Sequence, residues 1–144
     1  MKKTPISNLS VLNEAYNYEK PSGFSRGLRV EINDVTFLFI SGTASIDEAG
    51  KTVHIGDFQK QTERTYYNIK KLLEAEGATW KDVVKTTIYI KEIAKHYDEF
   101  NKLRIDFFKK EDISPYPASV GIQATLCRED LMIEMDAMAI IKNK

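Results

Sequence analysis

Between Gly27 and Ile32 the chain alternates: Leu28, Val30 and Ile32 fall on one side and Arg29 and Glu31 on the other, the period of a strand. Asn33-Asp34 then makes a turn, and Val35 to Ser41 resumes extended character, so the pair reads as a β-hairpin. In the second strand Val35, Phe37 and Phe39 share one face and Leu38 and Ile40 the other, a pattern that needs cover on both sides. The period next lengthens to 3.6. Phe58, Thr65, Ile69, Leu72 and Leu73 share a helical face, with Asp57 placed as N-cap and Gly77 as the C-terminal stop. After Trp80 a strand is predicted over Val83 to Ile90, with Val84, Thr86, Ile88 and Ile90 on one face. A second helix follows, with Tyr97, Phe100, Leu103 and Phe107 in register. Pro115 and Pro117 break the chain before a final hairpin of two strands, Ala118 to Ala124 and Leu131 to Ile141, joined by a polar connection containing Arg128, Glu129 and Asp130.

The predicted order ββαβαββ describes an α+β domain: one sheet with two amphipathic helices across one face. In the last strand Ile133, Met135, Ala137 and Ala139 are expected to face the helices. Met132, Glu134, Asp136, Met138 and Ile140 then form a mixed apolar and acidic surface on the other face, which suggests burial against another subunit. A half-exposed face carrying scattered methionines is the alternative. Residues 1–22, with Pro5, Pro21 and no clean period, read as an extended or loosely ordered N-terminal arm ahead of a single domain over 23–144.

A length of 144 residues suits one domain, and 21 basic residues against 21 acidic ones leave no net field for a polyanion, which makes nucleic acid a poor partner. Cys127 is the only cysteine and no signal-peptide pattern follows the N-terminal lysines, so a cytoplasmic location is expected. No apolar run approaches the roughly 18 to 20 residues that would cross a bilayer.

Phe24-Ser25-Arg26-Gly27, Ile40-Ser41-Gly42-Thr43-Ala44, Gln61 to Leu73, Val84-Lys85-Thr86-Thr87, Phe100-Asn101 and Pro117-Ala118 through Ile133-Glu134 follow one another in an order and spacing that resembles the RidA/YjgF (L-PSP) family. The resemblance implies a chorismate-mutase-like fold and a homotrimer whose sheets pack into a central barrel, with small-molecule clefts between subunits. Family members that hydrolyse imines and enamines, such as 2-aminoacrylate, hold the substrate carboxylate with an arginine directly after Pro-Ala; here that position is Ser119, too short and uncharged for the task. Arg128 and Arg26 are the candidates to reach the same pocket, against the alternative that they are solvated. Gly42 to Ile46, His54 to Asp57 and Cys127-Arg128 through Glu134 also resemble segments of chorismatases, in which a glutamate corresponding to Glu134 donates a proton and basic residues hold two carboxylates. A cyclic or enol carboxylic acid is the ligand type this implies.

Glu134 is the candidate catalytic residue. A carboxyl flanked by Met132, Asp136 and Met138 on an interface-facing strand can hold its proton near neutral pH, or it can pair with a neighbouring subunit's cation, a role expected more of Asp136. Asn101 matches a cleft asparagine in the family comparison. Phe24, Ser25, Arg26, Gly42 and Thr43 would line the cleft, with backbone N–H groups at Gly42 and Thr43 able to receive an anion; turn structure alone also accounts for the small residues. Ser119, Cys127 and Arg128 complete the ligand-binding set. A covalent role for Cys127 would need a histidine or helix N-terminus beside it, and the sequence supplies neither. His54 and His96 stand 42 positions apart in no ligand spacing, so no metal and no cofactor are expected. Three functions remain open: a hydrolase or deaminase acting on an imine, enamine or enol-type acid, a non-catalytic module binding a small carboxylic metabolite, and an RNA-cleaving or translation-inhibiting protein.

Overall fold

A computed structural model describes all 144 residues. Eight main elements follow in the order β1 (Lys2–Ile6), β2 (Gly27–Ile32), β3 (Val35–Ala44), α1 (Phe58–Ala75), β4 (Val83–Ile90), α2 (Ile93–Lys110), β5 (Ala118–Gln123) and β6 (Ile133–Lys142). The strands form one six-stranded sheet in the order β1-β2-β3-β6-β4-β5, in which only β4 and β5 run parallel. The α+β class and the ββαβαββ order hold, with one more strand in front. No helix is long and apolar enough to cross a membrane.

The β2–β3 hairpin turns at Asn33, whose φ of 55° is the left-handed geometry that asparagine tolerates. Helix α1 begins where Asp57 accepts the Lys60 amide at 2.9 Å. It ends at Gly77 (φ 72°), with Gly77 N–H donating to the Glu74 carbonyl and Ala78 N–H to that of Leu73, a Schellman closure. Both helices cover the same sheet face. Thr36, Leu38 and Ile40 of β3 and Ile133, Met135, Ala137 and Ala139 of β6 are buried beneath them, as the alternation predicts. Within the core Trp80 meets Tyr66, Phe107 and Phe108, with ring centroids 5.2 to 6.2 Å apart.

Four expectations change. The last two strands are not a hairpin: β6 lies between β3 and β4, while β5 sits at the edge beside β4. The reason is what each can bury, since β6 has a continuous apolar row for the helices whereas β5 offers Ser119, Gly121 and Gln123 on that side and all its residues are exposed. A bulge between Val83 and Lys85 turns Val83 inward in place of Val84, which is left exposed. The buried residues of α2 are His96, Phe100 and Phe108, with Leu103 and Phe107 packed at the margin; Tyr97 stays partly exposed over Gly121. The N-terminal segment is extended at Lys2–Ile6 but not loose. It forms an edge strand paired with β2, and Ile6, Val11, Leu12 and Ala15 enter the core, so residues 1–22 and 23–144 share one hydrophobic interior.

The other sheet face carries Leu28, Ile32, Phe39, Val120 and Ile122, all substantially exposed, beside partly buried Phe37, Met138 and Ile140. Nothing within the chain covers that face.

Candidate functional site

A second bulge, in β3 between Ile40 and Thr43, falls where β3 passes Glu134 of β6. It brings the Gly42 backbone against the glutamate: a Cβ at position 42 would lie 2.7 Å from Glu134 Oε1. The uncovered sheet face here becomes the floor of a cleft of about 1390 Å³, with Phe39, Gly42, Lys85, Thr87, Glu134, Asp136 and Met138 on it. One wall is the N-terminal segment around Asn13 to Phe24, with Arg26 behind it. The others are the turn at Ala49 to Thr52 and the connection from Cys127 to Leu131. Helix α1 fixes these walls from below. Asn68 donates to the carbonyls of Ala44 and Ile46 at 2.9 Å, and Gln61 donates to the Asp130 carbonyl while accepting the Met132 amide.

Burial pushes the half-buried Glu134 carboxyl above the usual range, the nearby Asp136 carboxylate adds to this, and Arg26 pulls the other way. No ion pair of the chain includes Glu134. Asp136 is engaged within its own chain, accepting the Thr87 amide at 3.1 Å and the Tyr89 hydroxyl at 3.2 Å. Charge repulsion from that carboxylate, after burial, raises Tyr89 as well.

Arg26 is 2% exposed. Its Nε donates to the Asn13 carbonyl, its amide to Glu14, and its Nη2 has no hydrogen-bond partner. Burial weakens its hold on its proton and Glu14 offsets only part of this; a guanidinium nevertheless remains a cation. Arg128 donates to the Gly50 carbonyl at 2.9 Å and pairs with no carboxylate. Both guanidinium carbons lie over the Tyr18 ring, at 5.3 and 5.4 Å from its centroid. The cleft therefore joins a carboxyl whose pKa is raised by burial to two cations with free donor capacity, suited to an anionic ligand that is protonated or hydrated beside its charge. No cluster of three or more His, Cys, Asp or Glu side chains could hold a metal ion.

Of the sequence candidates, Glu134, Gly42, Phe24, Arg26, Cys127 and Arg128 meet in this cleft. Cys127 is exposed, in the loop before β6. Thr43 points to the helix side, fully buried, and donates to the Ser41 carbonyl. Ser25 contributes its carbonyl to the Ser41 hydroxyl. Asn101 and Ser119 lie elsewhere: Ser119 is on the helix face of β5, in register with Thr86, while Glu134 is on the opposite sheet face. A single chain cannot bring them together. Sequence reasoning missed Tyr18 and the wall from Asn13 to Ser22. The signal available was the cluster of Tyr16, Tyr18 and Glu14 in an otherwise patternless stretch.

Gly42→Ala tests the contact with Glu134. The added methyl displaces a flexible carboxylate rather than backbone, so the urea midpoint should move little, while displacement of the carboxylate by around 1 Å should reduce any turnover that depends on Glu134 by about 10- to 100-fold.

The model of the family described as endoribonuclease L-PSP matches residues 20–141. A RutC family protein of Pyrococcus abyssi is 35% identical over 122 residues, covering 83% of this chain and 88% of that protein. The 3-aminoacrylate deaminase RutC of Acinetobacter baylyi is 30% identical over 102 residues, covering 71% of this chain and 77% of the relative. The crystal structure of the YjgF gene product of E. coli superposes with a TM-score of 0.76 at 21% identity, covering 96% of this chain and 99% of that one.

Proposed function

Because the chain belongs to the endoribonuclease L-PSP family, the group that includes the RidA/YjgF and RutC proteins, we propose that it hydrolyses an imine, enamine or enol-type carboxylic acid in clefts shared between the subunits of a homotrimer. The observation that carries this reading is Glu134, a carboxyl lifted by burial, in the same cleft as Arg26 and Arg128. Its relative in Acinetobacter baylyi carries the name 3-aminoacrylate deaminase, a hydrolysis of this class.

In this proposal the two arginines hold the substrate carboxylate. Glu134 passes its proton to the enamine carbon or the imine nitrogen and then takes one from the incoming water. Water adds to the C=N bond, the C–N bond of the resulting carbinolamine breaks, and ammonia leaves together with an oxo acid. An enol ether would follow the same course with an alcohol leaving. The subunit contact is supported by the uncovered apolar residues of β2, β3 and β6 on that face, since an exposed patch of that kind marks an interaction surface. A non-catalytic metabolite-binding module is the second reading, favoured by Ser119.

The test is ammonia release from enzymatically generated 2-aminoacrylate and larger amino-acid imines, alongside Ser119→Arg and light scattering at micromolar protein. Turnover by a trimeric wild type is expected. Ligand binding without turnover in either protein would move the chain to the binding module, and a monomer would remove the shared cleft.

A further inference from the structure

Tyr18 follows a short turn, Ala15–Asn17, in the cleft wall formed by the N-terminal segment. Val11, Leu12 and Ala15 anchor that wall in the core, and the Ser22 amide donates to the Ala15 carbonyl at 3.0 Å, so the chain is held on both sides of Tyr18. The ring lies against Gly50, where a Cβ would come within 2.9 Å of Tyr18 Cε1. Three segments distant in sequence therefore converge on it: the N-terminal wall, the turn at Ala49 to Thr52 and the connection that carries Arg128. Phe24 adds a second ring, its centroid 5.4 Å from the Arg26 guanidinium carbon, so rings and guanidiniums alternate in the order Phe24, Arg26, Tyr18, Arg128. All four side chains line the cleft.

Each arginine is tied to the chain at few points. Arg26 gives its Nε to the Asn13 carbonyl at 3.0 Å, and Arg128 gives its Nη1 to the Gly50 carbonyl at 2.9 Å and, more weakly, to the Thr52 hydroxyl at 3.4 Å. A single hydrogen bond fixes one point of a guanidinium and leaves its plane free to turn, whereas a carboxylate held bidentately requires the plane. Contact with an aromatic face supplies that constraint. Arg128 also works against the charge on Arg26, and the negative face of a shared ring offsets the repulsion. Arg26 Nη2, buried without a partner, is then a donor held ready for a ligand. The Tyr18 hydroxyl has no hydrogen-bond partner either, so what this residue gives the chain is its ring.

We propose that Tyr18 is the positioning residue of this cleft: its ring sets the planes of Arg26 and Arg128, and with them the affinity for an acid, without touching the reacting atoms. The inference rests on the reading in which the two arginines hold the substrate carboxylate. Tyr18 itself precedes residue 20, where the match to the family model begins.

Pyruvate, a stable oxo acid, is the probe, titrated calorimetrically alongside KM and kcat for 2-aminoacrylate. Tyr18→Leu is expected to weaken pyruvate binding and raise KM by about 10- to 30-fold, the scale of losing a desolvated contact between ring and cation, with kcat nearly unchanged because Glu134 keeps its place. Tyr18→Phe keeps the ring and should bind like the wild type. Phenylalanines of increasing ring fluorination at position 18 keep the shape while draining the negative face, and should weaken binding step by step. Tyr16→Leu, on the same turn but outside the cleft, should stay within about twofold of the wild type. Pyruvate affinity unchanged in Tyr18→Leu, or equal across the fluorinated series, overturns the proposal. A loss in Tyr18→Phe equal to that in Tyr18→Leu does so too, because the hydroxyl would then be on the ligand. If the wild type releases no ammonia yet pyruvate binding follows the ring at position 18, the positioning role stands and the proposed reaction falls; if turnover is normal and Tyr18 is silent, the reaction stands and the positioning role falls.

Discussion

Glu134→Gln is expected to lower kcat for imine or enamine hydrolysis by about 10²- to 10⁴-fold, the usual contribution of a positioned acid or base. The amide keeps the size of the carboxyl and its contact with Gly42 but can neither hand a proton to nitrogen or carbon nor recover one from water. Ligand affinity should change little, because the arginines rather than Glu134 face the anion, so the loss should appear in kcat and not in KM. The pH dependence follows from the direction of the shift. Burial and Asp136 raise the carboxyl, so the protonated acid persists to higher pH than an ordinary glutamate allows, and the rate of a proton-donating step falls as pH rises through that elevated value. Arg26 opposes the shift, so removing its charge should move the falling limb to still higher pH. A kcat profile of the wild type lacking such a limb, or a Glu134→Gln variant with unchanged kcat, would remove Glu134 from the mechanism.

Trp80→Ala should cost about 3 to 5 kcal/mol of folding stability. Trp80 is 1% exposed, on the short turn between α1 and β4, and its ring meets Tyr66, Phe107 and Phe108, so it joins both helices to the sheet. Truncation leaves a hole lined by three aromatic rings that cannot collapse without shifting α2, and Tyr66 loses a neighbour while its own hydroxyl is already buried without a partner. A domain of this size holds on the order of 5 to 15 kcal/mol in all, so the variant should unfold at a much lower urea concentration and be partly unfolded at physiological temperature. A midpoint close to that of the wild type would mean that α2 relaxes into the space, which the ring contacts argue against.

Much of the fold could be read directly from the chain because its elements have clean periods and strong end signals. Asp57 caps α1 and Gly77 closes it because a carboxylate can accept the first free amides and a glycine can take the left-handed turn at no steric cost. The inward row of β6 is correct at every position, since strand alternation leaves no other choice once one face is apolar. The failures at Val84 and Tyr97 have separate local causes. A bulge inserts a residue without any mark in the apolar pattern, and an aromatic on the helix margin packs over whatever the neighbouring strand offers, here a glycine.

By itself, the sequence determined the helices, the β2–β3 hairpin, the facing of β6 and the presence of a carboxyl in a partly apolar setting, all of which depend on neighbours a few residues away. Only the tertiary structure decided the strand order, the packing of the N-terminal segment and the company each site residue keeps. Whether β5 or β6 takes the centre of the sheet depends on how much apolar surface each can bury against distant helices. Whether Arg26, Arg128 or Ser119 meets Glu134 depends on which face of the sheet each reaches. Periodicity carries no information about such long-range choices, because burial and charge separation are properties of the packed whole.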